Sequence, residues 1–351
     1  MHLGTPALLD FCWRHGDDEP LVLATIVATE GSTYRKPGAM MLIDRDGGYE
    51  GMISGGCLEG DLLEHAARVF DSGEPAHVTY DMSADEDLVW SLGIGCDGVI
   101  HLLLQLLDDE GRGLFRHIDR AHSARRPVLL AMVRREFYGL EPGTLALAER
   151  EGDLSGCEVL FPLLASRAAE WPQWRSRLVE QAEGEVMLIH LPVQTRVLIC
   201  GAGPDAVPVA EAFHALGWDV LVADHRPAFA RAERFPGGCT VSCQRQSDLS
   251  RHVDLDELDA AIVMTHHLES DAEYLRQLCG RELAYLGVLG PTARRERLRS
   301  MAGCSGQRLF GPVGLDIGAE LPQSIALAMA AEVHAVLNRR SGGSLTGPGH
   351  E

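Results

Sequence analysis

The sequence predicts an α/β fold in two parts: an N-terminal mixed α/β domain over 1–192, then a doubly wound parallel sheet over 193–340, closed by a loose tail over 341–351. Three observations carry this. A chain of 351 residues exceeds what one hydrophobic core usually serves, and at 46% hydrophobic it can fill two. Residues 196–225, RVLICGAGPDAVPVAEAFHALGWDVLVADH, run strand, glycine turn, helix, strand, the opening unit of an open parallel sheet. Ahead of Pro192, helical and strand-like runs mix instead, with a hairpin signal at Asp46-Gly47-Gly48.

Taken in order, residues 5–15 read as a short helix and 20–30, PLVLATIVATE, as a strand rich in Leu, Val, Ile and Thr. GSTYRKPG, 31–38, is a loop broken by two glycines and a proline. Ser32 and Thr33 offer hydroxyls there and Arg35 and Lys36 positive charge, so phosphate binding is one reading; a polar turn between two strands is the plainer one. Residues 39–44 and YEGMIS pair as a hairpin that leads into Ser54-Gly55-Gly56-Cys57. From Leu58 the residues Leu62, Leu63, Ala66 and Ala67 recur at helical spacing, with Glu59, Asp61 and Glu64 in the first turns. Cys57 therefore sits where a strand hands over to a helix, a position that favours the thiolate, although Glu59 and Asp61 oppose it. A small buried hydrophobe is the other reading of Cys57.

Residues 75–92 read as acidic and irregular. In LGIGCDGVIHLLLQLL, 92–107, Cys96 precedes an apolar strand, as Cys57 follows one. If those two strands are antiparallel neighbours, both thiols reach one edge of one sheet and form a two-thiol pocket. A helix over 112–124 and strands over 127–134 and 184–191 follow, and the stretch between the last two is uninformative.

In the second part, Gly201 and Gly203 form the turn after the first strand, and Asp224 lies at the spacing of a carboxylate that accepts ribose hydroxyls. Pro204 crowds the turn, and Asp205 would repel a pyrophosphate at the helix start. Strands over 239–242, 260–265 and 284–289 complete the sheet. His266 and His267 follow the strand AAIVMT, where ligands of open parallel sheets bind; cofactor contact or proton carrier is one reading, helix entry the other. Near the end, GPVGLDIGAELPQ precedes a long helix that has proline in its first turn.

Composition excludes several classes. With 31 basic and 51 acidic residues the chain carries a formal charge of −20, which argues against sequence-independent binding to nucleic acid or to an anionic membrane. Nine cysteines lie scattered without any Cys-x-x-Cys, which predicts neither a disulfide framework nor a zinc site. No apolar run reaches membrane-spanning length and the start shows no signal peptide, so a soluble cytoplasmic protein is expected.

Several stretches in order resemble the XdhC/CoxI family, the accessory proteins of molybdenum hydroxylases such as xanthine dehydrogenase: GSTYRKPGAMMLI, SGGCLEGD, GIGCDGVIHLLLQ, GAGPDAVPVA, DHRP, MTHHLESD, YLGVLGPTARRERL and GPVGLDIGAELPQSIALAMAAEV. The family's Thr-His-Ser-His stands here as Thr265-His266-His267-Leu268, and its Gly-Ser as Gly290-Pro291. The resemblance implies an XdhC/CoxI-type cofactor-handling domain followed by a Rossmann-like domain. It also implies a chaperone that holds molybdenum cofactor (molybdopterin in mono- or dinucleotide form), supports its sulfuration and inserts it into the apo-hydroxylase. Cys57 and Cys96 become the candidates for sulfur chemistry, a cysteine desulfurase a partner, and a homodimer the assembly. Two other readings stay open: an NAD(P)-dependent oxidoreductase built on the Rossmann-like unit, and a scaffold that only recruits other proteins through its acidic surface.

Overall fold

The structure is a computed structural model that describes residues 4–16, 18–82, 98–150, 152–170 and 174–346. It divides into two compact units, Met1–Val193 and Gln194–Glu351. The first unit holds two five-stranded sheets in which every neighbouring pair is antiparallel. Strands β1 (Leu21–Glu30), β2 (Met40–Ile43), β3 (Tyr49–Gly51), β4 (Ala76–Asp81) and β5 (Val99–Leu107) make the first sheet, in the order β3-β2-β1-β5-β4. Strands β6 (Val128–Arg135), β7 (Leu145–Glu149), β8 (Leu154–Gly156), β9 (Arg177–Gln181) and β10 (Gly184–Leu191) make the second, in the order β8-β7-β6-β10-β9.

The side-chain alternation of β1 explains the layering. Val22, Ala24 and Ile26 face helix α2 (Glu59–Ser72), which returns Leu62, Ala66, Val69 and Phe70 to the same core. Leu21 and Leu23 point the other way, into a core shared with the second sheet, α1 (Thr5–Arg14) and α3 (Asp109–Ser123). The outer face of the second sheet is covered by α4 (Phe161–Ala168). Helix α2 ends on Gly73 in the left-handed conformation (φ 76°), its N–H bonded to Val69 O at 2.9 Å.

Three expectations need correction here. The acidic stretch assigned as irregular contains β4, an edge strand in which only Val78 is buried, so charge hid its pairing with β5. The uninformative stretch contains β7, β8, β9 and α4. LALAE of β7 has helix-prone composition and is a strand because β6 and β8 flank it, a case of tertiary context overriding propensity. And β3 and β5, though antiparallel in sense, are not neighbours, because β2 and β1 lie between them.

The second unit is a parallel sheet of β11 (Arg196–Cys200), β12 (Asp219–Asp224), β13 (Thr240–Cys243), β14 (Ala260–Val263) and β15 (Tyr285–Val288), ordered β13-β12-β11-β14-β15. Helices α5 (Ala206–Ala215) and α9 (Pro322–Leu337) cover one face; α6 (Leu249–His252), α7 (Leu268–Leu278) and α8 (Thr292–Ala302) cover the other. The strand order reverses direction between β11 and β14, which puts the crevice of this Rossmann-like sheet beyond their carboxyl ends. No disulfide framework was expected, yet Cys279, the cap of α7, is joined to Cys304, just past α8, with Cα atoms 5.5 Å apart. Among the described residues no helix is long and apolar enough to cross a membrane.

Candidate functional site

One edge of the first sheet gathers the end of β1, the start of β2, the end of β3 and the start of β5. Both the 31–38 loop and the Ser54–Cys57 turn leave from that edge. Gly98 ties the loop down: a Cβ there would stand 2.5 Å from Ser32 O, 2.7 Å from Glu30 O and 2.6 Å from Thr33 Cγ2. No side chain fits between β5 and the loop, so only glycine is accepted. Within the loop the buried Thr33 hydroxyl donates to Arg35 O at 2.9 Å, while Ser32 and Lys36 remain exposed.

The cysteine turn is organised by a residue that the sequence reading treated only as opposing charge. Glu59, 5% exposed, accepts from Ser54 N at 2.8 Å, from Gly56 N at 3.1 Å and from the Ser54 hydroxyl. Ser54 Oγ in turn accepts from Leu58 N at 3.0 Å. Burial alone would raise the Glu59 pKa, but the bonds from Ser54 outweigh it and leave the carboxyl below its ordinary value. The turn's donors are thus largely engaged inside the protein. Gly55 and Gly56 face open space, with nothing within 4 Å of a Cβ built on either, and Gly56 has φ +109°. Cys57 is a free, half-buried thiol that packs against the α2 core, so it is partly apolar filler and partly accessible.

Beneath the loop lies a cavity of about 120 Å³ walled by Arg35, Gly38, the first turn of α1, Met52 and His190. None of its lining residues is acidic. Arg35 Nε is buried without a hydrogen-bond partner among the described residues, and no carboxylate there pairs with its guanidinium. His190 has its pKa pushed down to about 4, first by burial and then by Arg175 and His122, so near neutral pH it is an uncharged hydrogen-bonding wall.

In the second unit the turn after β11 is as tight as its glycines suggest: a Cβ on Gly201 (φ +120°) would meet Met264 O at 2.7 Å. Gly203, Pro204 and Asp205 carry the chain into α5. Asp205 Oδ2 pairs with His266 Nε2 at 2.7 Å, and His266 holds the left-handed conformation (φ 65°), uncommon outside glycine. His267 is the N-cap of α7, its ring accepting from Ser270 N, so it takes the helix-entry role. Asp224, read as a ribose acceptor, has its oxygens engaged by the protein itself. It is fully buried, and its oxygens take bonds from Ala202 N (2.7 Å), Arg226 N (2.9 Å), Arg226 Nε (2.9 Å) and Arg226 Nη2 (2.6 Å). Burial raises its pKa, and those bonds lower it further than burial raises it.

Two family profiles match this chain: one described as the XdhC and CoxI family over residues 15–81, the other as the XdhC Rossmann domain over 197–333. A Bacillus subtilis protein named as a probable xanthine dehydrogenase component is 30% identical over 332 residues, 90% of this chain and 93% of that protein. The chain belongs to the XdhC/CoxI family. The Escherichia coli molybdenum cofactor insertion chaperone PaoD is 26% identical over 323 residues, 90% of this chain and 83% of PaoD. A crystal structure of a Bacillus halodurans protein described as a xanthine dehydrogenase superposes with a TM-score of 0.80 at 30% identity, covering 99% of both chains.

In this XdhC/CoxI chain the candidate residues fall into two groups, one in each unit. Ser32, Thr33, Arg35, Lys36, Ser54, Gly55, Gly56 and Cys57 share one sheet edge; Gly201, Gly203, Pro204, Asp205 and His266 share the crevice of the parallel sheet. Cys96 lies outside the described residues. Sequence reasoning missed Glu59 and Arg226 as positioning residues. For Arg226 the signal was present, an arginine two residues past the strand-terminal acid.

Proposed function

We infer that this XdhC/CoxI protein is a molybdenum-cofactor chaperone: it carries the cofactor as cargo, supports its sulfuration and inserts it into an apo-hydroxylase of the xanthine dehydrogenase type. The observation that carries this reading is the sheet edge on which a cation loop and the accessible Cys57 turn emerge together. Arg35, with no anionic partner among the described residues and a buried unpaired Nε beside a cavity free of acids, fits the phosphate end of a pterin. Lys36, exposed at the loop tip, adds point charge. The Cys57 thiol, beside two glycines that leave the backbone approachable, offers a soft donor to molybdenum or to a transferred sulfur. The similarity to PaoD over most of both chains supports the same reading. The oxidoreductase reading is weakened by Asp224, whose oxygens are engaged internally, and by Asp205 at the start of α5.

The test is retention of molybdopterin by purified protein, read by absorbance and by mass spectrometry of the released pterin. Cys57→Ala and Arg35→Leu are expected to fold normally and to lose most retained cofactor. Wild-type retention in both variants would remove this edge from the site.

A further inference from the structure

At the opposite end of the first sheet's strands, in the same unit, lies a pocket of about 390 Å³ whose chemistry is the reverse of the Arg35 cavity. It is walled by Glu74 beyond the C-terminal cap of α2, by Gln105 near the end of β5, by Asp108 and Glu110 at the start of α3, and by Glu141 in the turn between β6 and β7. Every charged residue in the lining is a carboxylate, and none of the four has a cationic partner among the described residues. The carboxyl end of α2 adds the negative end of its dipole. The opposing dipole at the start of α3 is already answered by Asp108, which accepts from Gly111 N at 2.8 Å.

A second, independent observation points to a ligand. Gln105 is 6% exposed, and its Nε2 donates to Gly143 O at 2.7 Å. That bond fixes the orientation of the amide, so the other atom is the acceptor Oε1, and Oε1 has no partner among the described residues. Gly143 has φ +93°, and a Cβ on it would come within 2.9 Å of Oε1, so the turn is shaped to admit this side chain. A buried acceptor left unpaired is unfavourable and is relieved by an N–H donor. The carboxylates surround the pocket without converging: among the described residues no group of three or more His, Cys, Asp or Glu could hold a metal ion. Dispersed negative charge beside one buried, unpaired acceptor suits a cation that spreads its charge over several N–H groups.

We propose that this pocket binds an ammonium or guanidinium group of an organic cation. One N–H is donated to Gln105 Oε1 and the positive charge is shared among Glu74, Asp108, Glu110 and Glu141. Such a group comes either from a free polyamine or from an arginine side chain.

Isothermal titration of the full chain with spermidine, with N-acetyl-arginine amide and with magnesium chloride tests this. One-site binding of spermidine or of the arginine amide is expected; the tighter of the two names the source. The double variant Glu74→Gln/Glu141→Gln, altered only at exposed positions, should weaken that binding at least about tenfold, since each lost charge-assisted contact is of that order. Gln105→Met should also weaken it, and Glu320→Gln, exposed in the other unit, should not. Absence of binding by both organic probes, binding unchanged in the double variant, or magnesium competing at equal concentration would each overturn the assignment.

Discussion

Replacing Glu59 by Gln tests whether a buried carboxylate shapes the cysteine turn. The wild-type carboxylate collects two backbone N–H groups and the Ser54 hydroxyl while 5% exposed. Hydrogen bonds to a charged acceptor contribute about 1.5–3 kcal/mol each. Glutamine keeps one acceptor oxygen but turns an NH2 toward donors, so the net loss is about 2–4 kcal/mol. For a unit of this size that corresponds to a fall in Tm of roughly 5–15 °C. Differential scanning calorimetry should show the fall in one of two transitions, because the second unit does not contain this network. Alkylation of Cys57, followed by peptide mass mapping, should become faster as the turn loosens. The pH dependence has a definite sign. The folded-state pKa of Glu59 lies below its ordinary 4.5, so its contribution is complete above 4.5 and is lost as pH falls through the lower folded value. The gap between wild type and Glu59→Gln should therefore close on acidification below 4.5. A Tm within about 2 °C of wild type at neutral pH, with Cys57 alkylation unchanged, would refute the role assigned to this carboxylate.

Arg226→Leu strips the fully buried Asp224 of its guanidinium and leaves it two backbone donors, with His225 Nδ1 at 3.4 Å. Because Arg226 is itself about a third exposed, the expected loss is about 2–3 kcal/mol, read as a lower Tm of the transition that Glu59→Gln leaves unmoved. Arg35→Leu removes a cation that has no anionic partner among the described residues to lose, so its Tm should stay within about 2 °C of wild type while molybdopterin retention falls. Gly98→Ala forces a Cβ against the backbone oxygens of Ser32 and Glu30; retention should fall with it, and NMR or crystallography should show the 31–38 loop displaced. NAD(P)H at concentrations well above typical dissociation constants should shift Tm by less than about 1 °C, since Asp224 has no oxygen left for a ribose; a shift of several degrees would restore the nucleotide reading.

Much of this architecture was legible before the structure, and the reasons differ by region. The parallel sheet announced itself because strand, glycine turn and helix obey strong local rules, and Gly201 has to be glycine against Met264 O. In the second antiparallel sheet the apolar strands β6 and β10 were legible, whereas β7, β8 and β9 were not, because they depend on pairing with neighbouring strands rather than on their own composition. At the site, the loop and the cysteine turn were found from residue types alone. Their meeting at one edge was not read from the sequence; the adjacency considered there, between the strands beside Cys57 and Cys96, does not occur, since β2 and β1 lie between β3 and β5. What no pattern revealed was the direction of individual carboxylates. Asp224 reads as a group aimed at a ligand and Glu59 as a charge at a helix start, yet the oxygens of both are taken up inside the protein, because backbone N–H groups within reach offer them partners.

The pairing of β4 bears on how this chain tolerates being cut. Residues 15–81 include β1, β2, β3 and β4, but β5, which lies between β1 and β4 and pairs with both, comes later in the sequence. A fragment ending at 81 would expose one side of β1, a long hydrophobic strand, as a template for any passing backbone, and would strip β4 of its ladder with β5. The matched segment 15–81 is therefore not expected to fold by itself. Expressed by itself, it should precipitate, and it should return to solution when the segment 98–193 is supplied in trans.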